Sequence, residues 1–186
     1  MILRNLPNAL SLVRCVLIIP FIVFFAQNDY LSAFYIFLAA GFTDAIDGWL
    51  ARSFNWQSAF GSFVDPIADK LLITSSFLAL AYTGALPWGL VILVFLRDFT
   101  ISMGVLAWYG LMHKPLEFEP TYLSKINTVM QLSLVTFFLF EQAFHKSSPV
   151  FGHVLLIITV ITTSWSYIDY VWTWGKKAWA SNTRTN

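Results

Sequence analysis

Long apolar runs dominate the chain, and polar positions gather in short gaps between them. Runs of this length, without sustained alternation of period two, exclude strands and predict helices. A membrane-crossing helix needs about 20 mostly apolar residues. On that measure six spans are expected, at 7–27, 31–52, 64–82, 86–111, 122–142 and 149–174. The fold class is therefore all-α: one six-helix polytopic transmembrane domain over residues 1–186, with no evident internal repeat. Six crossings leave both termini on one side.

Composition narrows the class further. Apolar residues make up 58%, aromatics 18% and charged residues 11%. Soluble domains carry about 25% charged residues, so there is too little polar surface here for a water-soluble globule. A nucleic-acid binder would need a basic face, and the formal net charge is only +1. One cysteine, Cys15, excludes a disulfide framework and a thiolate metal cluster.

The placement of the cations sets the orientation. Arg4, Arg52, Lys114, Lys176, Lys177 and Arg184 lie on the side of the termini, and the opposite gaps hold only Lys146. The termini are therefore expected in the cytoplasm. Leu6, Ala9, Leu10 and Val13 recur at helical period, with Arg14 off the stripe. This short amphipathic N-terminal segment reads either as an entry along the membrane surface or as the first turns of the span. Arg14 and Pro20 interrupt the apolar run, which disfavours a signal peptide. Trp172, Trp174 and Trp179, beside Lys176 and Lys177, form an expected interfacial belt.

The acids are concentrated. Of ten acidic residues, four fall within two neighbouring spans: Asp44, Asp47, Asp65 and Asp69. Spacings of three and four place each pair on one helix face. Both pairs are expected near the cytoplasmic side, on adjacent antiparallel helices. Four such carboxylates cannot all stay ionised in a low dielectric without cations. Arg52 and Lys70 are too few for that, so Mg²⁺ or Mn²⁺, suited to hard oxygen ligands, is the natural complement. Two such ions would clamp a diphosphate. The competing reading is a proton or cation path in a transporter or channel.

The residues between the acids add a pattern. Asp44, Asp47, Gly48, Ala51 and Arg52 are followed by eight residues, then Gly61, Asp65 and Asp69. This resembles the signature of the CDP-alcohol phosphotransferases at all eight fixed positions and every spacing. Small Gly48, Ala51 and Gly61 would leave room for a nucleotide against the backbone. Arg52 can reach a phosphate with its planar fork.

The resemblance implies a six-helix core, a homodimer, and a lipid phosphatidyltransferase using two divalent ions. It makes Asp44, Asp47, Asp65 and Asp69 the metal ligands and Asp69 also the general base. Gly48, Ala51, Arg52 and Gly61 would bind the CDP moiety. An acceptor hydroxyl attacks the lipid-side phosphorus of a CDP-linked donor, and CMP leaves.

Other stretches are similar to two branches of that family. Asn5 through Arg14 looks like the start of phosphatidylglycerophosphate synthases and cardiolipin synthases. The former usually carry R-E-x3-S-x-L-R-E on the fourth helix; here Arg97-Asp98 stands first and the second Arg-Glu is missing. The stretch from Glu119 to Gln131, with Ser124, Lys125, Asn127 and Thr128, looks like the eukaryotic-type cardiolipin synthases. A glycerol-phosphate acceptor needs extra cations for its dianionic phosphate, whereas phosphatidylglycerol presents a singly charged diester. The expectation is transfer from CDP-diacylglycerol to phosphatidylglycerol, with phosphatidylglycerophosphate synthesis as the second reading. Arg97 and Lys125 are expected at the acceptor phosphate, or in structural pairing, Arg97 with Asp98 or another buried acid. Pro66 is expected in the first turn of its helix. No Arg-rich, Ser-rich transit segment precedes the first span, so a bacterial cytoplasmic membrane is expected.

Overall fold

A computed structural model of the chain describes residues 6–54, 59–112, 122–146 and 148–182. Side chains are described within 10–46, at 49, 53, 54 and 65, and within 67–104, 122–146 and 148–173. Among these residues the structure is all-helical. Six helices are present: α1 (Leu6–Ala26), α2 (Tyr30–Ser53), α3 (Ala59–Tyr82), α4 (Trp88–Met112), α5 (Tyr122–Phe144) and α6 (Pro149–Asn182).

Each helix lies on an expected apolar run, and the differences at the ends have physical causes. Because α3 begins at Ala59, Pro66 sits in the helix interior rather than in its first turn. Gly61 and Ser62 read as breakers in isolation, but their backbone is part of α3. Helix α6 continues to Asn182, past the end of its apolar stretch. Hydropathy marks where a span stops; the helical backbone has no reason to stop there.

The α1–α2 turn is tight. Asn28 takes φ 61°, a left-handed conformation that asparagine tolerates. The Asp29 amide donates to the Phe24 carbonyl at 2.9 Å and the Asn28 amide to the Phe25 carbonyl at 3.1 Å. These two bonds close a Schellman cap on α1. Asp29 then caps α2, its Oδ1 accepting from the Ser32 amide at 3.2 Å. Gly84, at φ 77°, ends α3 in the same way, with bonds to the Ala81 and Leu80 carbonyls.

The chain forms two compact units, Met1–Leu86 with Val135–Pro149, and Pro87–Leu134 with Val150–Asn186. In the first, α1 packs against α2 and α3. Phe21, Phe77, Leu80, Val135 and Leu139 are fully buried. Phe34 meets the rings of Phe140 and Phe144 at 5.9 and 5.8 Å. Buried Ala33, Ala40 and Ala68 let backbones approach.

The second unit is polar inside and apolar outside. Arg97, Asn127, Gln131, Thr159, Thr163 and Ser166 are buried, while Phe99, Ile161, Trp165 and Ile168 face outward. The same inversion holds on α1, where Ser11 and Arg14 are buried and Leu12, Val13, Val16 and Ile19 are exposed. The expected apolar stripe of the N-terminal segment therefore includes an exposed residue, Val13, and Arg14 turns inward. Among the described residues, Tyr122–Phe144 and Pro149–Thr173 are long and apolar enough to cross a membrane; Leu10–Ala26 and Tyr30–Ile46 are apolar and shorter.

Candidate active site

Three helices of the first unit bring charge together. Asp44 comes from α2, and Asp65 and Asp69 from successive turns of one face of α3. Opposite them, α1 presents Ser11 and Arg14, which share a face three residues apart. The Arg14 Nη1 pairs with Asp44 Oδ1 at 2.8 Å and donates to Asp69 Oδ1. The Ser11 hydroxyl donates to Asp65 Oδ1. One nitrogen on α1 thus ties a carboxylate of α2 to a carboxylate of α3.

The exposure of these groups is uneven. The Arg14 side chain is fully buried, whereas those of Asp44 and Asp69 are 47% and 44% exposed. The carboxylates therefore keep an open side while a guanidinium neutralises them from beneath. A buried arginine is costly unless paired; here the pair is made with the residues the sequence singles out.

The structure brings Asp44 of α2 and Asp65 and Asp69 of α3 to the Ser11 and Arg14 side chains of α1. The side chains of Asp47, Gly48, Ala51, Arg52 and Gly61 lie outside the described ones, although their backbones are helical. Among the described residues, no three acidic, histidine or cysteine side chains alone form a metal-ligand group. The donor chemistry still fits a hard divalent cation. A cation already stands between two of the carboxylates, in the form of the Arg14 guanidinium.

Sequence reasoning gave Ser11 and Arg14 no role at the acids. The signal was present: two polar residues on one face of an otherwise apolar run. A buried cation within a span calls for an acidic partner, and four acids were already in view.

The second unit carries its own polar cluster. Arg97 on α4 pairs with Asp98 at 2.7 Å and donates to Ser124 on α5 at 2.5 Å and Ser166 on α6 at 3.0 Å. The ion pair expected as one of two readings for Arg97 is therefore present. Lys125, the other expected acceptor-binding cation, is exposed on α5. Deeper in the unit, the hydroxyls of Thr163 and Thr162 donate to Asn127 Oδ1 at 2.7 and 3.3 Å. Gln131 and Thr159 follow in the same antiparallel register and are buried. Arg97 Nε, Asn127 Nδ2 and Gln131 Nε2 are buried and find no hydrogen-bond partner among the described residues. All three are donors, so this interior favours oxygen acceptors.

A family model for CDP-alcohol phosphatidyltransferase matches residues 4–165. A human cardiolipin synthase (CMP-forming) is 30% identical over 181 residues, covering 89% of this chain and 60% of that protein. A probable phosphatidylglycerophosphate synthase of Mycobacterium tuberculosis is 32% identical over 177 residues, covering 91% of this chain and 81% of that protein. A CDP-diacylglycerol–glycerol-3-phosphate 3-phosphatidyltransferase of Bacillus subtilis is 30% identical over 189 residues, covering 90% and 95%. The chain spans about 60% of the length of the human and rat relatives.

Proposed function

The chain belongs to the CDP-alcohol phosphatidyltransferase family, and from that premise we propose that it transfers a phosphatidyl group from CDP-diacylglycerol to phosphatidylglycerol, yielding cardiolipin and CMP. The observation that carries the transfer chemistry is the convergence of Asp44, Asp65 and Asp69 on the Ser11–Arg14 face of α1. These are carboxylates at the family's spacing, drawn from two helices and open on one side.

In the proposed reaction, the acceptor hydroxyl oxygen bonds to the lipid-side phosphorus. The bond from that phosphorus to the bridging oxygen breaks, and CMP departs with the electron pair. Asp69 takes the hydroxyl proton as general base. Asp44, Asp47, Asp65 and Asp69 would hold two Mg²⁺ or Mn²⁺ ions, which when bound supply charge neutralisation of the diphosphate and leaving group. Gly48, Ala51 and Gly61 would admit the cytidine against the backbone, and Arg52 would donate to a phosphate.

The acceptor assignment draws on α4 and α5. Arg97 already neutralises Asp98, which leaves less positive charge for a dianionic phosphate than for a singly charged diester. Together with the Ser124–Gln131 stretch, this favours phosphatidylglycerol. Phosphatidylglycerophosphate synthesis is the second reading, supported by the Bacillus subtilis relative, whose near-whole length the chain matches. On either reading, six spans would place the carboxylates at the cytoplasmic face.

The test offers purified protein CDP-diacylglycerol and Mn²⁺ with phosphatidylglycerol or with glycerol 3-phosphate. CMP release and the lipid product are read by mass spectrometry. The proposal expects cardiolipin and CMP from the first mixture, lost on chelation. Release only with glycerol 3-phosphate selects the second reading. Ion flux in liposomes without CMP release would point instead to a cation path.

A further inference from the structure

Helices in lipid gain nothing by hiding apolar faces from one another; close packing and hydrogen bonds across the interface hold them together. The seam between α5 and α6 is of that kind. Asn127, Thr159 and Thr163 are 0% exposed and Gln131 is 2% exposed. Asn127 and Gln131 stand four residues apart on one face of α5, and Thr159 and Thr163 four apart on one face of α6. The Thr163 hydroxyl joins the two faces by donating to Asn127 Oδ1 at 2.7 Å.

The hydrogen-bond inventory of this seam does not close between the side chains. Asn127 Oδ1 accepts from Thr163 and Thr162, while Asn127 Nδ2 and Gln131 Nε2 find no partner among the described residues. Across the seam, Thr159 donates to the Leu155 carbonyl at 2.8 Å and Thr163 to Asn127. Each hydroxyl has then used its one proton, and its oxygen can still accept. Amide donors on α5 thus meet hydroxyl acceptors on α6. A group that accepts from the first and donates to the second completes both, and water does this.

We propose that the seam binds at least one ordered water, which accepts from Asn127 Nδ2 and Gln131 Nε2 and donates to the Thr159 and Thr163 hydroxyl oxygens. Four residues of helix rise by about 6 Å, a gap that one water spans with two hydrogen bonds of ordinary length. Up to four polar partners suit a buried water. Full burial excludes a lipid headgroup from this position. N–H donors exclude a metal cation, and four neutral side chains would leave an anion uncompensated. The bridge fixes the register of α5 against α6. It thereby sets the level of Ser124 and Ser166, one turn away, both of which meet Arg97.

The experiment uses the purified full chain in detergent micelles, with isotope-labelled asparagine and glutamine side-chain nitrogens. Rotating-frame Overhauser spectra of the wild type should show contact between water and the side-chain amide protons of Asn127 and Gln131, with the sign that separates contact from proton exchange. No water contact at either amide overturns the proposal, including the case in which Gln131 bonds Thr159 directly. The second measurement is thermal unfolding of Gln131→Met, which keeps the side-chain length and removes the amide. Removing a bridged amide leaves the water and its other partners short of a bond, so the midpoint should fall by about 2–4 °C. Removing an amide that meets nothing relieves a desolvation penalty, so an unchanged or raised midpoint overturns the proposal. Should that variant fail to fold, the wild-type spectra decide.

Discussion

Asp69 is held and yet open: its Oδ1 accepts from Arg14, while its side chain is 44% exposed. The proposed base needs an oxygen open to an acceptor hydroxyl, and the exposed part of the side chain is compatible with that role. Asp69→Asn keeps the shape and a hydrogen-bonding carbonyl but removes the proton acceptor. Turnover should fall by about 10²–10⁴-fold, while CDP binding measured by equilibrium dialysis changes by only a few fold. Turnover within tenfold of wild type would exclude Asp69 as the base. At the other end of α2, Asp29 is fully exposed, and its carboxyl is held below the usual range by the side-chain and backbone hydrogen bonds of Ser32. A carboxyl depressed in the folded state adds stability that is present above its unfolded value, about 3.9, and fades as pH falls through the lower folded value. Asp29→Ala should therefore lower the thermal midpoint at neutral pH and lose that acid dependence, and the two proteins' midpoints should converge as pH falls through the lowered value. Of these residues, the acids were legible because their spacing is a pattern. The roles of Arg14 and Ser11 were not, because burial of a polar residue depends on which neighbours α1 meets.

Helices α5 and α6 show what an apolar surround does to an element. Their polar residues face inward in steps: Ser124 near Ser166 through Arg97, then Asn127 with Thr163, then Gln131 and Thr159. The helical spacing along Ser124, Asn127 and Gln131 was readable, but the matching face of α6 was not, because serine and threonine also occur on helices without any partner. Gly104 on α4 shows the packing limit within this unit. A Cβ there would fall on the hydroxyl of Tyr170 and lie 3.1 Å from its Cζ. Tyr170 is itself buried, donating to the Ile101 carbonyl at 3.1 Å. Gly104→Ala should therefore destabilise the protein by about 1–3 kcal/mol, measured as unfolding in detergent. Tyr170→Phe removes the hydroxyl that clashes. The double variant should be more stable than the sum of the two single losses predicts, a coupling that only residues in contact display. Strict additivity would place Tyr170 elsewhere.

At the scale of the whole molecule, the open question is which way the carboxylates face. The all-helical class and the six helices followed from apolar runs, because in lipid every backbone group must be satisfied within the helix. Orientation comes from the distribution of lysine and arginine, which the helical fold alone does not fix. The proposed donor carries a cytidine nucleotide and the proposed reaction releases CMP, so the proposal needs Asp44, Asp65 and Asp69 on the side that carries the cations. Asn28 sits in the turn between α1 and α2, and Ser53 at the opposite end of α2. Both ends of α2 can therefore be interrogated with one helix as the ruler. In a Cys15→Ser background, Asn28→Cys should react with a membrane-impermeant maleimide added to intact cells, and Ser53→Cys should react only after lysis. The acids lie in the half of α2 nearer Ser53, so labelling of Ser53→Cys in intact cells would move the proposed chemistry to the outer face. The cation asymmetry makes that outcome unfavourable: a reversed protein would carry Arg52 and its neighbours on the translocated side, against the bias that sets topology.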